Sequence, residues 1–452
     1  MRVHFIAIGG SAMHNLAIAL KRKGDQVSGS DDEIFEPSKG RLKANGILPD
    51  KIGWDADAIT ADIDAIILGM HARKDNPELL RAQELGLKIY SYPEFVYEQT
   101  KEKKRIVVGG SHGKTTITSM LLHVMDKLGI ETDYLVGALL EGFDCMVQLS
   151  DAPYIVIEGD EYLSSPIDRR PKFHWYAPHI ALISGIAWDH INVFPTFDNY
   201  VEQFKIFTDK IMPNGSLIYF QEDESIQRII PQLREDVAGI GYATPNYEVV
   251  DGTTFILNDG ERIPLKVFGN HNLQNMLGAK LMLNQIGVTD SDFYTAIKSF
   301  KGAAKRLELI AENETCTAYK DFAHSPSKLK ATVAAVKEQF PKRKLIACME
   351  LHTFSSLKKD FLPQYKGCMA EADEAFVYFS PDVVKHKRLE PISAELVKEA
   401  FGTNNVTVFT DSDAIVAAIK AQEWAYANLL LMSSGNFHGV DLNQFAKDLL
   451  EG

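Results

Sequence analysis

The amino-acid sequence predicts an α/β protein built as three domains. Short apolar, strand-like runs alternate with amphipathic helical patterns, and the alternation restarts three times along 452 residues. That is the pattern of parallel sheets covered by helices. The length itself calls for more than one core, because domains usually hold about 100–200 residues. In the second block a glycine-rich loop separates a strand from a helix, at Gly109-Gly110-Ser111-His112-Gly113-Lys114-Thr115-Thr116.

The first block, residues 1–104, opens with a strand at 3–8, a turn at Gly9-Gly10-Ser11 and a helix over 12–22. Further strands are expected at 26–28 and 63–68, and the charged stretch 98–105 reads as a linker. The second block, 105–303, starts with a strand at 105–108, followed by the glycine-rich loop and a helix over 115–128. Apolar runs at 154–157 and 180–184 read as buried strands. Two runs within 253–267 flank Asn258-Asp259-Gly260, a hairpin turn because these residue types tolerate positive φ. A helix is expected over 271–285. The third block, 304–452, alternates strands at 345–349, 375–379, 406–409 and 429–432 with helices at 327–340, 394–401 and 413–424. The pattern therefore predicts three α/β domains, the central one with a parallel sheet plus a small antiparallel part.

Composition narrows the partners. A formal net charge of −13 argues against nucleic acid or an anionic membrane, since both need a basic footprint. No apolar run reaches the ~18 residues of a membrane span. The N-terminal apolar run, cut at Gly9-Gly10, is too short for a signal peptide. The four cysteines, Cys145, Cys316, Cys348 and Cys368, show no paired spacing, which fits a reducing compartment. A cytoplasmic protein, monomeric or a weak homodimer, is expected.

The loop around Lys114 carries the chemistry. Small residues let the backbone curl so that its N–H groups and the helix N-terminus face phosphate oxygens. Lys114 adds a point charge for the outer phosphates, and the Thr115 hydroxyl is a ligand for Mg²⁺. Val108 stands where the general phosphate-loop pattern has its first glycine. The strand 154–157 runs into Glu158-Gly159-Asp160-Glu161, carboxylates at the strand end where α/β sheets bind ligands. Trp188-Asp189-His190 follows the next strand and is a second candidate for metal or phosphate.

Six segments, in order, resemble those of the Mur ligase family. Gly110 to Thr116 is similar to its phosphate loop, with Ser111 in place of threonine; that family also lacks the first glycine. Glu158 and Asp189-His190 fall where the family has its magnesium-binding Glu and His. Gly269-Asn270-His271-Asn272-Leu273-Gln274-Asn275 resembles the segment whose last Asn meets adenine. Lys305-Arg306-Leu307-Glu308 resembles the one whose Arg bridges to ATP. Asp321-Phe322-Ala323-His324-Ser325-Pro326 is similar to a third, with Lys320 replacing a frequent Asp. The resemblance implies a Rossmann-like N-terminal domain, a central P-loop ATPase domain and a Rossmann-like C-terminal domain, in an ATP- and Mg²⁺-dependent ligase in which Lys114, Glu158, His190, Arg306 and His324 act in catalysis. ATP would meet residues 110–116, His271, Asn272, Asn275, Arg306 and Asp321. The metal would lie on Thr115, Glu158 and His190. His112 is read equally as a substrate contact or a loop-shaping residue. Lys205 has the spacing of a lysine carbamylated in several members, and is read here as an ordinary helix-surface lysine.

In the first block, Ala7-Ile8-Gly9-Gly10-Ser11-Ala12-Met13 is similar to the glycine turn of members that bind UDP-N-acetylmuramate, with Ala7 and Ala12 replacing two glycines. Such a turn also occurs in nicotinamide-binding domains, so an oxidoreductase is the different-class alternative. The sugar-nucleotide residues implied are Gly9, Gly10, Ser11, Met13, Asp31 and His71, the last with Asn76-Pro77-Glu78. Two branches use this sugar, one adding L-alanine and one a murein tripeptide. Glu158-Gly159-Asp160-Glu161-Tyr162, Asp168-Arg169-Arg170-Pro171-Lys172-Phe173 and Met432-Ser433-Ser434-Gly435-Asn436-Phe437-His438-Gly439 resemble the peptide-adding branch. Leu351-His352-Thr353-Phe354-Ser355-Ser356 lacks both arginines of the alanine-adding branch; Lys358 or Lys359 is the substitute considered.

Overall fold

The computed structural model describes residues 1–140, 142–188, 193–304 and 306–451. Asp189, His190 and Lys305, which the sequence put forward, lie outside the described residues.

The described residues form three parallel-type sheets and one antiparallel sheet. In the N-terminal sheet β1 (Arg2–Ile6), β2 (Gln26–Ser30), β3 (Ala65–Leu68) and β4 (Ile89–Ser91) run parallel in the order β2-β1-β3-β4. The central sheet comprises β5 (Lys104–Gly109), β6 (Thr132–Leu135), β7 (Val147–Gln148), β8 (Tyr154–Glu158), β9 (Ile180–Ile183), β10 (Ser216–Phe220) and β11 (Ala238–Tyr242). Its order is β11-β10-β9-β5-β8-β6-β7, and only β7 runs antiparallel. β5 is the middle strand, and its last five residues are all buried. Burial on both faces is why this strand reads as a continuous apolar run rather than an alternating one.

Next come β12 (Tyr247–Val250), β13 (Thr253–Asn258) and β14 (Glu261–Leu265), an antiparallel meander. Asp259 and Gly260 take φ 48° and 84° in the turn between β13 and β14, the two positive angles that a two-residue hairpin needs. The last sheet holds β15 (Glu308–Glu312), β16 (Thr317–Asp321), β17 (Lys344–Glu350), β18 (Glu374–Tyr378), β19 (Val406–Phe409) and β20 (Ala427–Met432). The order is β15-β16-β20-β17-β18-β19, with β15 antiparallel to β16 and the rest parallel. The chain folds as two compact units, 1–243 with 274–297, and 244–273 with 298–452. Among the described residues no helix is long and apolar enough to cross a membrane, and all four cysteines are buried as free thiols.

The stretch 98–105, read as a linker, is held at its far end by a buried cation. The helix Tyr92–Gln99 runs into it, and Arg105 is only 2% exposed. Its Nη1 donates to the carbonyls of Thr100, Lys101 and Lys103, and its Nε to those of Tyr176 and Ala177. Lys103 donates to the Ser150 and Ala152 carbonyls and pairs with Asp133 at 3.0 Å. These cations thus hold main-chain carbonyls on either side of the entry to β5.

Candidate active site

β5 ends at Gly109, and the helix Lys114–Lys127 begins five residues later. The intervening turn depends on Gly110, at φ 128°, and Gly113, at φ 79°. Both angles are ones that residues with a Cβ rarely adopt. A Cβ on Gly110 would stand 2.1 Å from Ser184 Oγ, and one on Gly113 2.4 Å from Asn275 Oδ1. The loop is therefore wedged between the end of β9 and the helix Asn270–Asn284, whose Asn275 stands beside Gly113. The Ser111 amide donates to the Gly185 carbonyl at 2.9 Å, and Ser184 Oγ donates to the His112 carbonyl. The ring of His112 lies against Gly185. Thr116 is buried in the first helical turn.

Parallel pairing sets Val108 beside Glu158, so the acidic end of β8 faces the loop. Thr115 Oγ1 donates to Glu158 Oε1 at 2.9 Å, and the Gly137 amide holds Oε2 at 2.9 Å. Lys114 Nζ donates to the Gly110 carbonyl at 2.6 Å and to Glu161 Oε2 at 2.8 Å. Burial works against the lysine's charge, but Glu161 and Asp160 outweigh it and raise its pKa. Glu161 is 1% exposed, and its other oxygen accepts from the Tyr200 hydroxyl at 3.0 Å. That hydroxyl pairs with Ser111 Oγ at 2.8 Å. Asp160 meets Lys172 at 2.5 Å. Burial would raise the Asp160 pKa, but Lys172 and Lys114 bring it down to about 2. Glu158 and Glu161 are thus buried beside the loop, while Asp160 between them stays partly open to solvent. Tyr200 was invisible in the sequence, since it arrives 89 residues from Ser111 on the helix Phe197–Asp209. On that same helix Lys205 pairs with Asp209 at 2.6 Å.

Among the described residues no group of three or more His, Cys, Asp or Glu is arranged to hold a metal ion. Thr115 and Glu158 do bring a hydroxyl and a carboxylate together, both buried. Hard oxygen donors of this kind suit Mg²⁺.

The glycine turn after β1 is held by Asp31, whose Oδ2 accepts from the Gly9 amide at 2.7 Å. Burial raises the Asp31 pKa. Ala7, standing where the resemblance has glycine, takes φ 70°, which explains the family preference at that position. Gly9, Gly10 and Ser11 form the turn into the helix Ser11–Lys23. Met13 is different: at 5% exposed it belongs to the core. His71 is exposed, while Asn76 caps the helix Pro77–Glu84. Glu78 is fully buried and accepts from Ser30 Oγ and the Asp55 amide.

In the second unit Asp321 closes β16. Its two oxygens accept from the Leu307 amide at 2.5 Å and the Ala323 amide at 2.6 Å. Burial pushes its pKa up to about 6 against the pull of Arg306 and these amides. Leu307 takes φ 48°, so the carboxylate pins the bend that presents Arg306, whose guanidinium lies 4.9 Å from the Phe322 ring centre. His324 Nδ1 meets the Phe322 carbonyl at 2.8 Å. The Asn272 side-chain amide donates to the Phe268 carbonyl at 2.9 Å, with His271 beside Gly269. Glu350 was not anticipated. Buried at the end of β17, it accepts from Ser433 Oγ and from the Phe437 amide at 2.9 Å, with His352 Nδ1 3.5 Å away. Asp321, Ser433 and Glu350 therefore mark the carboxyl ends of three adjacent strands, the edge where open α/β sheets bind ligands. Lys358 is folded over the Phe354 ring at 4.7 Å.

Fold and loop together define a P-loop nucleotide-binding α/β enzyme. Three family models match in register with the sheets: a Mur ligase family catalytic domain over residues 2–104, a Mur ligase middle domain over 108–283, and a Mur ligase glutamate ligase domain over 305–435. A UDP-N-acetylmuramate–L-alanine ligase of Caldicellulosiruptor bescii is 33% identical, with 82% of each chain covered. A UDP-N-acetylmuramate–L-alanyl-γ-D-glutamyl-meso-2,6-diaminoheptandioate ligase of Escherichia coli is 27% identical, over 97% of this chain and 96% of that one. The crystal structure of a UDP-N-acetylmuramate–alanine ligase from Thermotoga maritima shares the fold at a TM-score of 0.72 and 21% identity, covering 100% of this chain and 98% of that one. The chain belongs to the Mur ligase family. It is an ATP-dependent ligase that forms a C–N bond.

Proposed function

We propose that this enzyme joins the lactyl carboxylate of UDP-N-acetylmuramate to the amino group of a murein tripeptide, L-alanyl-γ-D-glutamyl-meso-diaminopimelate, in the recycling of peptidoglycan in the cytoplasm. One observation carries the choice of acceptor. The segment 168–173, which resembles the peptide-adding branch, is built into the surroundings of the phosphate loop: Lys172 neutralises Asp160, the neighbour of the carboxylate that holds Lys114. Arg170 is gripped by Asp168 and stacked 4.0 Å from the Trp175 ring centre. The arginines of the alanine-adding branch are absent from 351–356. The second reading, L-alanine as acceptor, is favoured by the 33% identity to the Caldicellulosiruptor enzyme.

A carboxylate is a poor acyl donor because its leaving group would be oxide. Attack of the lactyl carboxylate on the γ-phosphorus of ATP gives an acyl phosphate and ADP; the amine then displaces phosphate, forming the amide and losing a proton. Lys114 and Arg306 would neutralise charge on the transferring group, where positioning and electrostatics carry most of the catalysis. Thr115 and Glu158, with His190, would hold Mg²⁺, which would supply positive charge to offset that of the phosphates. His324 would orient ATP or the acyl phosphate. Gly9, Gly10, Ser11 and Asp31 would take the sugar nucleotide in a domain of residues 1–104, with 105–303 taking ATP and 304–452 the acceptor. Phosphate release measured with UDP-N-acetylmuramate and either free L-alanine or the tripeptide tests the proposal. Turnover with the tripeptide alone is expected; turnover with L-alanine alone would move the enzyme to the other branch.

A further inference from the structure

We propose that Glu161, held by Tyr200, is a positioning residue for the phosphate-loop lysine, and that it orients Lys114 at the expense of nucleotide affinity. The inference rests on the reading of this loop as the ATP site.

An ammonium has three N–H donors. In Lys114 one goes to the Gly110 carbonyl at 2.6 Å and one to Glu161 Oε2 at 2.8 Å. Those two bonds fix the direction of the third, which is left for a phosphate oxygen. A lysine side chain otherwise samples many rotamers, so a fixed direction shortens the search for the transferring group. Glu161 cannot drift, because it is buried and its second oxygen is tied to Tyr200. Tyr200 in turn reaches Ser111 Oγ, which also accepts from the Ala187 amide at 2.9 Å. One carboxylate, one phenol and one hydroxyl thus connect the lysine to the loop's own second residue and to the chain after β9. The arrangement carries an electrostatic cost. A negative charge within hydrogen-bond distance of Lys114 repels the phosphates that the same lysine attracts, and burial strengthens that repulsion. Glu161 is therefore expected to weaken ground-state binding while sharpening the geometry needed for transfer.

A residue of purely structural importance would raise KM and lower kcat together when altered. Glu161→Gln, which keeps size and removes charge, is expected to bind ADP at least about tenfold more tightly and to turn over at least about tenfold more slowly. Glu161→Asp, which keeps the charge, should bind ADP as the unaltered enzyme does. Tyr200→Phe leaves the charge in place but unties it, so kcat should fall with little change in nucleotide affinity. Calorimetric titration with ADP, phosphate-release kinetics and a thermal melt of each variant make the test on the full chain. Unchanged or weaker ADP binding by Glu161→Gln overturns the proposal, as does unaltered turnover in both Glu161→Gln and Tyr200→Phe. An unaltered enzyme that bound neither ADP nor ATP would remove the nucleotide-site reading and this inference with it.

Discussion

The Thr115 hydroxyl and the Glu158 carboxylate meet at 2.9 Å across the ends of β5 and β8, while the Gly137 amide holds the other carboxylate oxygen. Two oxygens of different chemistry are thereby fixed at one point beside the phosphate loop. Removing the hydroxyl should cost metal more than it costs fold. Thr115→Ala is expected to raise the Mg²⁺ concentration needed for half-maximal phosphate release at least about tenfold, whereas Thr115→Ser should stay close to the unaltered enzyme. A Mg²⁺ titration that gave the same midpoint for all three would remove Thr115 from the metal site.

Lys114 separates two binding events. Its ammonium lies at the loop after β5, while Gly9, Gly10 and Asp31 lie at the turn after β1 in a different sheet. Lys114→Ala should reduce ATP-dependent phosphate release by roughly 1000-fold, the scale of losing a preorganised charge at a transition state. UDP-N-acetylmuramate binding, followed by calorimetry, should be essentially unchanged. Loss of sugar binding in the same variant would contradict the separation of the two sites.

Arg105 tests whether the segment entering β5 is structural. Alanine there removes the donor to the carbonyls of Lys101, Lys103, Tyr176 and Ala177, and one of two donors to that of Thr100, and unsatisfied buried polar groups are costly. Arg105→Ala should lose about 3–5 kcal/mol of unfolding free energy in urea. Arg105→Lys should recover only part of this, since an ammonium cannot span the fork of a guanidinium. A loss below about 1 kcal/mol would mean that water replaces the side chain without penalty.

What the sequence made legible divides along the range of the interactions. The phosphate loop is spelled out in consecutive residues because backbone curvature, lysine and threonine must all come from one turn, so Gly110, Gly113, Lys114 and Thr115 could be read directly. The Asn258-Asp259-Gly260 turn is local in the same way. Partners that arrive from distant segments were not legible: Tyr200, Ser184, and the Glu350 that organises Ser433 and Phe437. The burial of Arg105 was not legible either, because a charge is exposed far more often than it is buried. β6, β11 and β16 escaped because runs such as Thr132–Leu135, Ala238–Tyr242 and Thr317–Asp321 mix polar or glycine residues into short strands, whose partners rather than their own pattern determine them. Met13, put forward by its motif position, packs at 5% exposure on the apolar face of its helix, a burial that the motif does not convey.

Lys205 bears on the family's modified lysine. Carbamylation needs a neutral amine, yet the hydrogen bond to Asp209 raises the Lys205 pKa, and the pair has the i, i+4 spacing of an ordinary helix-surface bridge. Intact-mass measurement in bicarbonate buffer should show an unmodified chain, and Lys205→Ala should keep its turnover. A carbamyl adduct, or a variant rescued by short carboxylic acids, would restore the modified-lysine reading.

Asp321 gives a pH signature of the second unit. Its folded pKa of about 6 lies above the ordinary aspartate value of 3.8, chiefly through burial. Between those two values the folded chain binds a proton that the unfolded chain has released. Stability from this group is therefore fully present below about pH 4 and lost as pH rises through 6. Asp321→Asn carries no titrating proton. It loses an acceptor for Leu307 or Ala323, so it should be the less stable protein, but its stability should not share this slope. The difference in unfolding free energy between the unaltered chain and Asp321→Asn is expected to shrink by roughly 2 kcal/mol from pH 4 to pH 7. Parallel stability curves for the two proteins would show that the carboxylate is ionised throughout, and that the two amides and Arg306 outweigh its burial.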